Sequence, residues 1–550
     1  MITGSIFRDA LISGANNITA QKQQIDELNV FPVPDGDTGT NMSMTINAAA
    51  RELSRLSDSC TVAEAAQTAA SALLRGARGN SGVILSLIFR GISKGLSGCE
   101  SATAEDLAKG LIAGTESAYK AVMKPTEGTI LTVIRLTAKR AAAFAEKNND
   151  IAAFWEYVCK SANEALAKTP EILPVLKKAG VVDAGGKGLC VIFEGMLSVL
   201  RDGVMISASE EGATPSPAQQ KEAKLSELEE EITFTYCTEF IVQKDKTIDR
   251  DPLALRAYLE SIGDSVVVVD DEDIIKVHVH TDNPGKALQQ GLKHGMLTNM
   301  KIENMREQFA NRVEAEVSAP TAPEYVPVDP DTPFGFVSVC AGDGVAQLFS
   351  DLGVDKIVSG GQTMNPSTDD ILAAIQSVPA KTVFVLPNNK NIIMAAEQAV
   401  PLADREVRVL HTRTIPQGLS AMLCFDADAS ASDNHIEMMK AAENVGSGQI
   451  TFAARDSDYE GYKIKEGELL ALENGKLSFV EKDLQKAAVR LTRSLLKKTS
   501  SFITILYGEG VTEAEAEAMV DALRLKVPET VDISLIEGKQ PVYYYIISVE

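Results

Sequence analysis

Apolar residues return at spacings of three and four through most of the first 205 positions. After the segment DGDTGTN, Met42, Ile46, Ala49, Leu53 and Leu56 fall on one face of a helix. Thr61 with Glu64, and Thr103 with Asp106, each set a hydroxyl three residues ahead of a carboxylate. That pairing satisfies free N–H groups at a helix start. The helix opened at Thr61 is expected to stop at Gly76. Several amphipathic helices joined by short Gly-rich loops predict an all-α bundle or barrel over residues 1–205.

The pattern then changes twice. Residues 206–231 lose their apolar positions to Pro, Ser, Ala and charge and read as a linker. From 232 to 317, ITFTYCTEFIV and SVVVVDDEDIIKVHVHTD read as strands, with DPLALRAYLESIG and PGKALQQGLKHG as helices between them. This predicts a small α+β middle domain. A second linker, 318–333, carries five prolines. From 334 to 550, short apolar runs (FGFVSVC, KIVSGG, TVFVLPNN, VRVLHT) alternate with helical segments such as STDDILAAI. That alternation predicts an α/β domain with a mostly parallel sheet. Residues 449–480 read as an antiparallel meander, and the tail returns to strand, helix, strand.

Charge and cysteine usage narrow the class. The net charge of −23 argues against a broad nucleic-acid footprint, which needs clustered Lys and Arg. It also favours solubility. The seven cysteines are odd in number and contain no Cys-x-x-Cys, which points to a reducing compartment. The opening MITGSIFRDALISGANN has no basic, then apolar, leader pattern, and no run of about 18 apolar residues spans a membrane. The expectation is a cytoplasmic protein.

Candidate chemistry concentrates in NVFPVPDGDTGTNM, residues 29–42. Two prolines hold the approach extended, and glycines permit sharp turns around Asp35 and Asp37. Both aspartates stand just ahead of a helix starting near Thr40. Mg²⁺ prefers carboxylate oxygens plus substrate phosphates, and a helix N-terminus offers N–H groups and partial positive charge to those phosphates. The same loop also reads as a tight turn with an Asp cap. Three more Gly-rich segments lead into helices: ARGNSGVILS with Asn80 and Ser81, KPTEGTILTV with Thr126, Gly128 and Thr129, and VVDAGGKGL with Asp183 and Lys187. None has the spacing of a P-loop.

In the middle domain, His278 and His280 alternate along one strand and share a face, with Cys237 in another strand. These are N and S ligands suited to Zn²⁺, with Asp282 or water as a fourth; they are also compatible with strand residues that never meet. In the C-terminal domain, SGGQTMNPST (359–368) runs from a strand end into a helix, where open α/β sheets bind ligands or partners. Asn388 and Asn389, at the next strand end, share that rim.

Taken together and in order, NVFPVPDGDTGTNM, ARGNSG, PTEGT, DAGGKG, YCTEF, KVHVHTDNPG and SGGQTMNPST resemble the bacterial fatty acid kinases, in their ATP-binding component. The N-terminal segment resembles the nucleotide-binding domain of dihydroxyacetone kinases, a helical barrel that holds ATP through two Mg²⁺. The resemblance implies that Asp35 and Asp37 ligate Mg²⁺. A third aspartate of that loop is matched here by Asn29, a neutral and weaker ligand. It further implies nucleotide contacts from Thr38, Thr40, Asn41, Ser81, Gly82, Thr129 and the Gly185–Gly186 turn, and a zinc ion at Cys237, His278 and His280. It also implies a fatty-acid-binding carrier protein docked on the C-terminal domain. A homodimer is expected as well.

The chemistry favours an acid acceptor. A fatty acid, with a carboxyl pKa of about 4–5 by comparison with side-chain acids, is already ionised at pH 7. An alcohol usually needs a base, and no histidine precedes His278. A dihydroxyacetone-type kinase is the alternative enzyme, with His294, His411 and His435 on hand but outside any motif. A nucleotide-sensing scaffold is the non-enzymatic alternative.

Overall fold

The computed structural model describes residues 1–29, 36–122, 124–207, 234–244, 252–270, 274–304, 324–361, 364–459 and 462–550. Two compact units result, one joining 1–212 to 322–550 and the other spanning 213–321. The first linker lies almost wholly outside the described residues.

The N-terminal part is all helix: α1 (Gly4–Asp26), α2 (Thr38–Leu53), α3 (Val62–Arg75), α4 (Gly79–Gly95), α5 (Ala104–Ala121), α6 (Ile130–Ala145), α7 (Ile151–Ala167), the short α8 (Thr169–Ile172) and α9 (Pro174–Ala179), and α10 (Ala184–Asp202). The helix starts follow from local chemistry. Thr61 Oγ1 accepts from the Glu64 N–H at 3.1 Å while Glu64 accepts from the Thr61 N–H at 2.8 Å, and α3 ends at Gly76. Thr103 and Asp106 repeat the device at α5.

The periodicity leaves bundle or barrel open, and the packing decides for a closed ring. Each long helix packs on the next, α7 packs on α10, and α10 closes back onto α1. The closure needs glycine: a Cβ on Gly195 would lie 2.7 Å from the Gly14 Cα of α1. Inside the ring, buried Phe7, Phe154, Trp155 and Phe193 fill the space, and the Trp155 indole donates to the Phe193 carbonyl at 3.0 Å. Burying a large apolar side chain contributes about 1.5–3 kcal/mol.

The middle unit is a four-stranded antiparallel sheet, β1 (Tyr236–Lys244), β2 (Gly263–Asp270), β3 (Ile274–Thr281) and β4 (Gly295–Asn304), in the order β2-β3-β1-β4. Helices Pro252–Glu260 and Pro284–Gly291 accompany it. Their apolar faces and the sheet bury Phe240, Val242, Leu255, Leu259, Val277 and Val279.

The C-terminal part holds two sheets. β5 (Phe334–Cys340), β6 (Lys356–Ser359), β7 (Thr382–Leu386) and β8 (Glu406–Val409) form a wholly parallel sheet in the order β6-β5-β7-β8. Its central strands are buried on both faces, as β-branched and aromatic runs require. The second sheet is mixed and six-stranded. It runs Lys476–Glu481, Leu469–Glu473, Gly446–Phe452, Tyr545–Val549, Phe502–Tyr507 and Asp532–Glu537, with only the last pair parallel.

One buried apolar cluster runs from the helical ring, through Val83, Leu87 and Ile88 of α4, into Val337, Ile371, Ala395 and Ala396 around the parallel sheet. The ring and the parallel sheet therefore share a core. Of the second Pro-rich stretch, residues 324–333 lie along the C-terminal domain. There Tyr325 donates to Asp404 at 2.9 Å, and the Arg405 guanidinium donates to the Val326 carbonyl at 3.0 Å. Among the described residues no helix is long and apolar enough to cross a membrane.

Candidate active site

Four helices of the ring begin at one place. The first turns or caps of α2 (Asp37, Thr38, Asn41), α4 (Asn80, Ser81), α6 (Thr129, Ile130) and α10 (Asp183, Ala184, Gly185) line a single pocket of about 430 Å³. Asp37, Arg78 and Thr129, at the caps of α2, α4 and α6, make no side-chain cap bond. Each helix N-terminus carries about half a positive charge, so the convergence forms an anion-attracting concavity. Leu28, Ile84, Val122, Leu131 and Leu176 add an apolar side suited to a flat ring.

The first turn of α2 is fixed from behind. Asp26, at the end of α1, accepts from the Gly39 N–H at 2.6 Å, the Thr40 N–H at 3.2 Å and the Thr40 hydroxyl at 2.7 Å. Burial pushes the Asp26 carboxyl up from its ordinary range, and these bonds only partly counter it. Asn29 accepts from the Thr38 hydroxyl at 2.9 Å. Asp35 lies outside the described residues; Asp37 is in the lining.

At α10, Asp183 caps the helix, accepting from the Gly186 N–H at 2.7 Å. Burial raises its carboxyl to about 6, against bonds from the Gly186 and Ile130 N–H groups that lower it. In PTEGT, burial pushes Glu127 up, but bonds from Thr132, Arg135 and Tyr119 outweigh it and hold the carboxyl below its usual range. This pins the loop that carries Thr126 and Thr129 into the pocket.

Of the residues expected to touch nucleotide, Asn29, Thr38, Asn41, Asn80, Ser81, Thr126, Thr129, Asp183 and Gly185 line the pocket. Thr40, Gly82, Gly128 and Gly186 stand behind it. Thr40 is held by Asp26, and Gly82 packs on Thr45. Gly128 turns at φ +84° beside Leu173, and Gly186 packs on Val133 and Leu166.

The pocket's other wall comes from the C-terminal domain, where SGGQTMNPST and its rim read as a binding edge but carry no local sign that they face the helical ring. Lys390 and Asn391, on the loop after β7, line the pocket, and Asn391 accepts from the Asn80 amide at 3.3 Å. Asn365, on the loop after β6, is 3% exposed and donates to the Asp37 carboxylate at 2.5 Å. The Arg78 guanidinium donates to the Asn365 carbonyl at 2.8 Å and pairs with Asp370 at 3.3 Å. Gly79 turns at φ +57° under this seam; a Cβ there would meet the Asn41 amide at 2.5 Å and the Asn365 amide at 3.3 Å. Lys124, also unforeseen, is the second lysine of the lining.

In the middle unit the strand register sets Cys237 opposite His280, and Glu239 opposite His278. The side chains of Cys237 and His278 lie outside the described residues, and Asp282 accepts from the Thr235 N–H at 2.7 Å. Among the described residues no three His, Cys, Asp or Glu gather into a metal site, so the structure gives the expected zinc ion no support. His411 pairs with Glu397 at 2.8 Å, and neither it, His294 nor His435 lines the 430 Å³ pocket.

Family models match in the same order as the architecture. A DAK2 domain matches residues 32–198, the FakA-like middle domain of fatty acid kinase matches 233–312, and the FakA-like C-terminal domain of fatty acid kinase matches 335–550. The chain is 42% identical to protein YloV of Bacillus subtilis, over 100% of this chain and 99% of that protein. It is 40% identical to an uncharacterized protein of Staphylococcus haemolyticus, over 100% and 99%. Among solved structures, the dihydroxyacetone kinase of C. freundii matches with a TM-score of 0.31 and 18% identity, covering 45% of this chain and 56% of that one. On its full-length relatives and its three domain matches, the chain belongs to the FakA-like family of fatty acid kinase proteins.

Proposed function

We propose that this protein transfers a phosphoryl group from Mg·ATP to the carboxylate of a fatty acid presented by a separate fatty-acid-binding protein, giving acyl phosphate and ADP. The observation that carries the reading is the convergence of four helix N-termini on one pocket with Asp37 in its lining. The donor set fits the ligand: N–H ends and hydroxyls for phosphate oxygens, an apolar side for the base, and hard carboxylate oxygens from Asp37 for Mg²⁺, to which the sequence motif adds Asp35. When bound, Mg²⁺ neutralises charge on the transferring group. The chain's own work is then positioning, and an ionised acceptor needs no base from it.

A coupled assay of ADP release, with and without a fatty-acid carrier, tests this. Release that requires both fatty acid and carrier supports it. Release with dihydroxyacetone alone transfers the reading to the alternative kinase. Nucleotide binding without any turnover makes the chain a sensor.

The middle unit adds a metal and an interface to this reading. Cys237 pairs in register with His280, two positions along the strand from His278, and elemental analysis of purified protein with Cys237→Ser as the comparison tests whether these residues hold zinc. The edge strand β4 leaves Met296, Met300 and Ile302 exposed, which supports a homodimer; sedimentation equilibrium would find a monomer if this is wrong.

A further inference from the structure

We propose that Lys390, a residue of the C-terminal domain, contacts the phosphates of the nucleotide held by the helical ring, so that the donor site is complete only when both domains form it. The inference rests on the Mg·ATP reading above and adds to it a residue some 350 positions from the Asp-Gly-Asp loop.

Charge comes first. The pocket lining carries the carboxylates of Asp37 and Asp183, and a triphosphate brings about four more negative charges near pH 7. Four helix N-termini at about half a charge each, together with one Mg²⁺, supply about four positive charges and leave about two negative ones unbalanced. The lysines of the lining are Lys124 and Lys390. Lys124 sits on the approach to the PTEGT turn and belongs to the ring. Lys390 comes from the other wall.

The position of Lys390 is built. Asn388, two residues before it, is 3% exposed and adopts φ +54°, a conformation that Asn tolerates and most residues do not. Its amide donates to Ser338 Oγ at 2.9 Å and to the Val339 carbonyl at 3.1 Å, and its N–H donates to Thr412 Oγ1 at 3.1 Å. Those bonds tie the loop to β5 and to the segment after β8. Asn389 donates to the Gly361 carbonyl on the neighbouring loop, and the Asn391 N–H donates to Asn389 Oδ1 at 2.9 Å. The lysine is thus a long side chain on a fixed backbone, a common way to present a point charge to phosphate.

Topology gives the reason. In the order β6-β5-β7-β8 the winding reverses at β5, and open parallel sheets bind ligands at the carboxyl ends of strands around such a reversal. The loops after β6 and β7 are the ones that reach the ring's pocket, through Asn365 at Asp37 and Asn391 at Asn80. The ligand-binding edge of one fold is laid on the ligand-binding end of another. Among the described residues Asn80 Oδ1 is buried without a hydrogen-bond partner at this junction, leaving an acceptor beside the space the nucleotide would fill.

The test uses the full chain and three proteins: wild type, Lys390→Ala and Lys390→Arg. Binding of Mg·ATP and of adenosine is measured by calorimetry, and ADP release by the coupled assay. Loss of a charge-assisted contact predicts a roughly 10- to 100-fold weaker Mg·ATP affinity or kcat/KM for Lys390→Ala. Adenosine affinity should be unchanged, and Lys390→Arg should recover most of the loss. Equal losses for ATP and adenosine, or no loss at all while wild type binds and turns over ATP, would overturn the proposal. Wild type that binds no Mg·ATP would instead refute the kinase reading on which it rests.

Discussion

The pocket has two walls of different origin. The helical wall is made of four local motifs, each a Gly- or Asp-bearing loop that opens a helix. The α/β wall is made of single residues, Asn365, Lys390 and Asn391, delivered by the ends of two parallel strands. The first wall supplies N–H ends, hydroxyls and carboxylates; the second supplies amides and a cation. A helix start is encoded within four or five residues, whereas a strand-end residue acquires meaning only from what the strand is packed against.

If the helical wall carries the metal and the phosphates, removing its carboxylates has the largest effect. Asp35→Ala with Asp37→Ala should lower ADP release by more than about 1000-fold, since charge stabilisation at the transferring group is usually the dominant contribution to catalysis. A double variant within about tenfold of wild type would leave the α/β wall as the centre of the site.

The seam between the walls gives the next effect. Gly79→Ala forces a side chain into φ +57° and against the Asn41 and Asn365 amides, at a cost of about 1–3 kcal/mol. Denaturant unfolding should show that loss together with weaker nucleotide binding. Thr61→Ala is the contrasting case. It removes a capping box far from the seam and should cost about 1 kcal/mol in the same experiment, with nucleotide affinity unchanged.

The last effect is a slope. Asp183 titrates near 6 in the folded chain and near the ordinary 3.8 when unfolded, so folding favours its protonated form. The stability this contributes is fully present below about pH 4 and is lost as pH rises through about 6. Asp183→Asn keeps a good cap and should flatten the stability profile across that window. An identical slope in the variant would mean that another group is responsible.

These contrasts also explain what could be read in advance. The Thr61 and Thr103 caps, the stop at Gly76 and the Asp37 loop are local, and short runs of cap, Gly and Asp residues exposed them. Periodicity alone did not show ring closure, because the contact of Gly14 with Gly195 joins residues at opposite ends of the domain; the barrel came from the family resemblance. Asp26 was missed because its carboxylate acts on another helix, at Gly39 and Thr40 in the first turn of α2. For Lys390 a faint signal existed: the polar run NNKN follows a strand, and its first two asparagines already suggested a rim. Nothing local said that the rim faces the helical ring.

Direct titration of Mg·ATP into the full chain, beside the Asp37→Ala variant, tests the central claim. Saturable binding that needs Mg²⁺ and disappears in the variant is the predicted result. Equal binding by the two proteins, or binding indifferent to Mg²⁺, would contradict it.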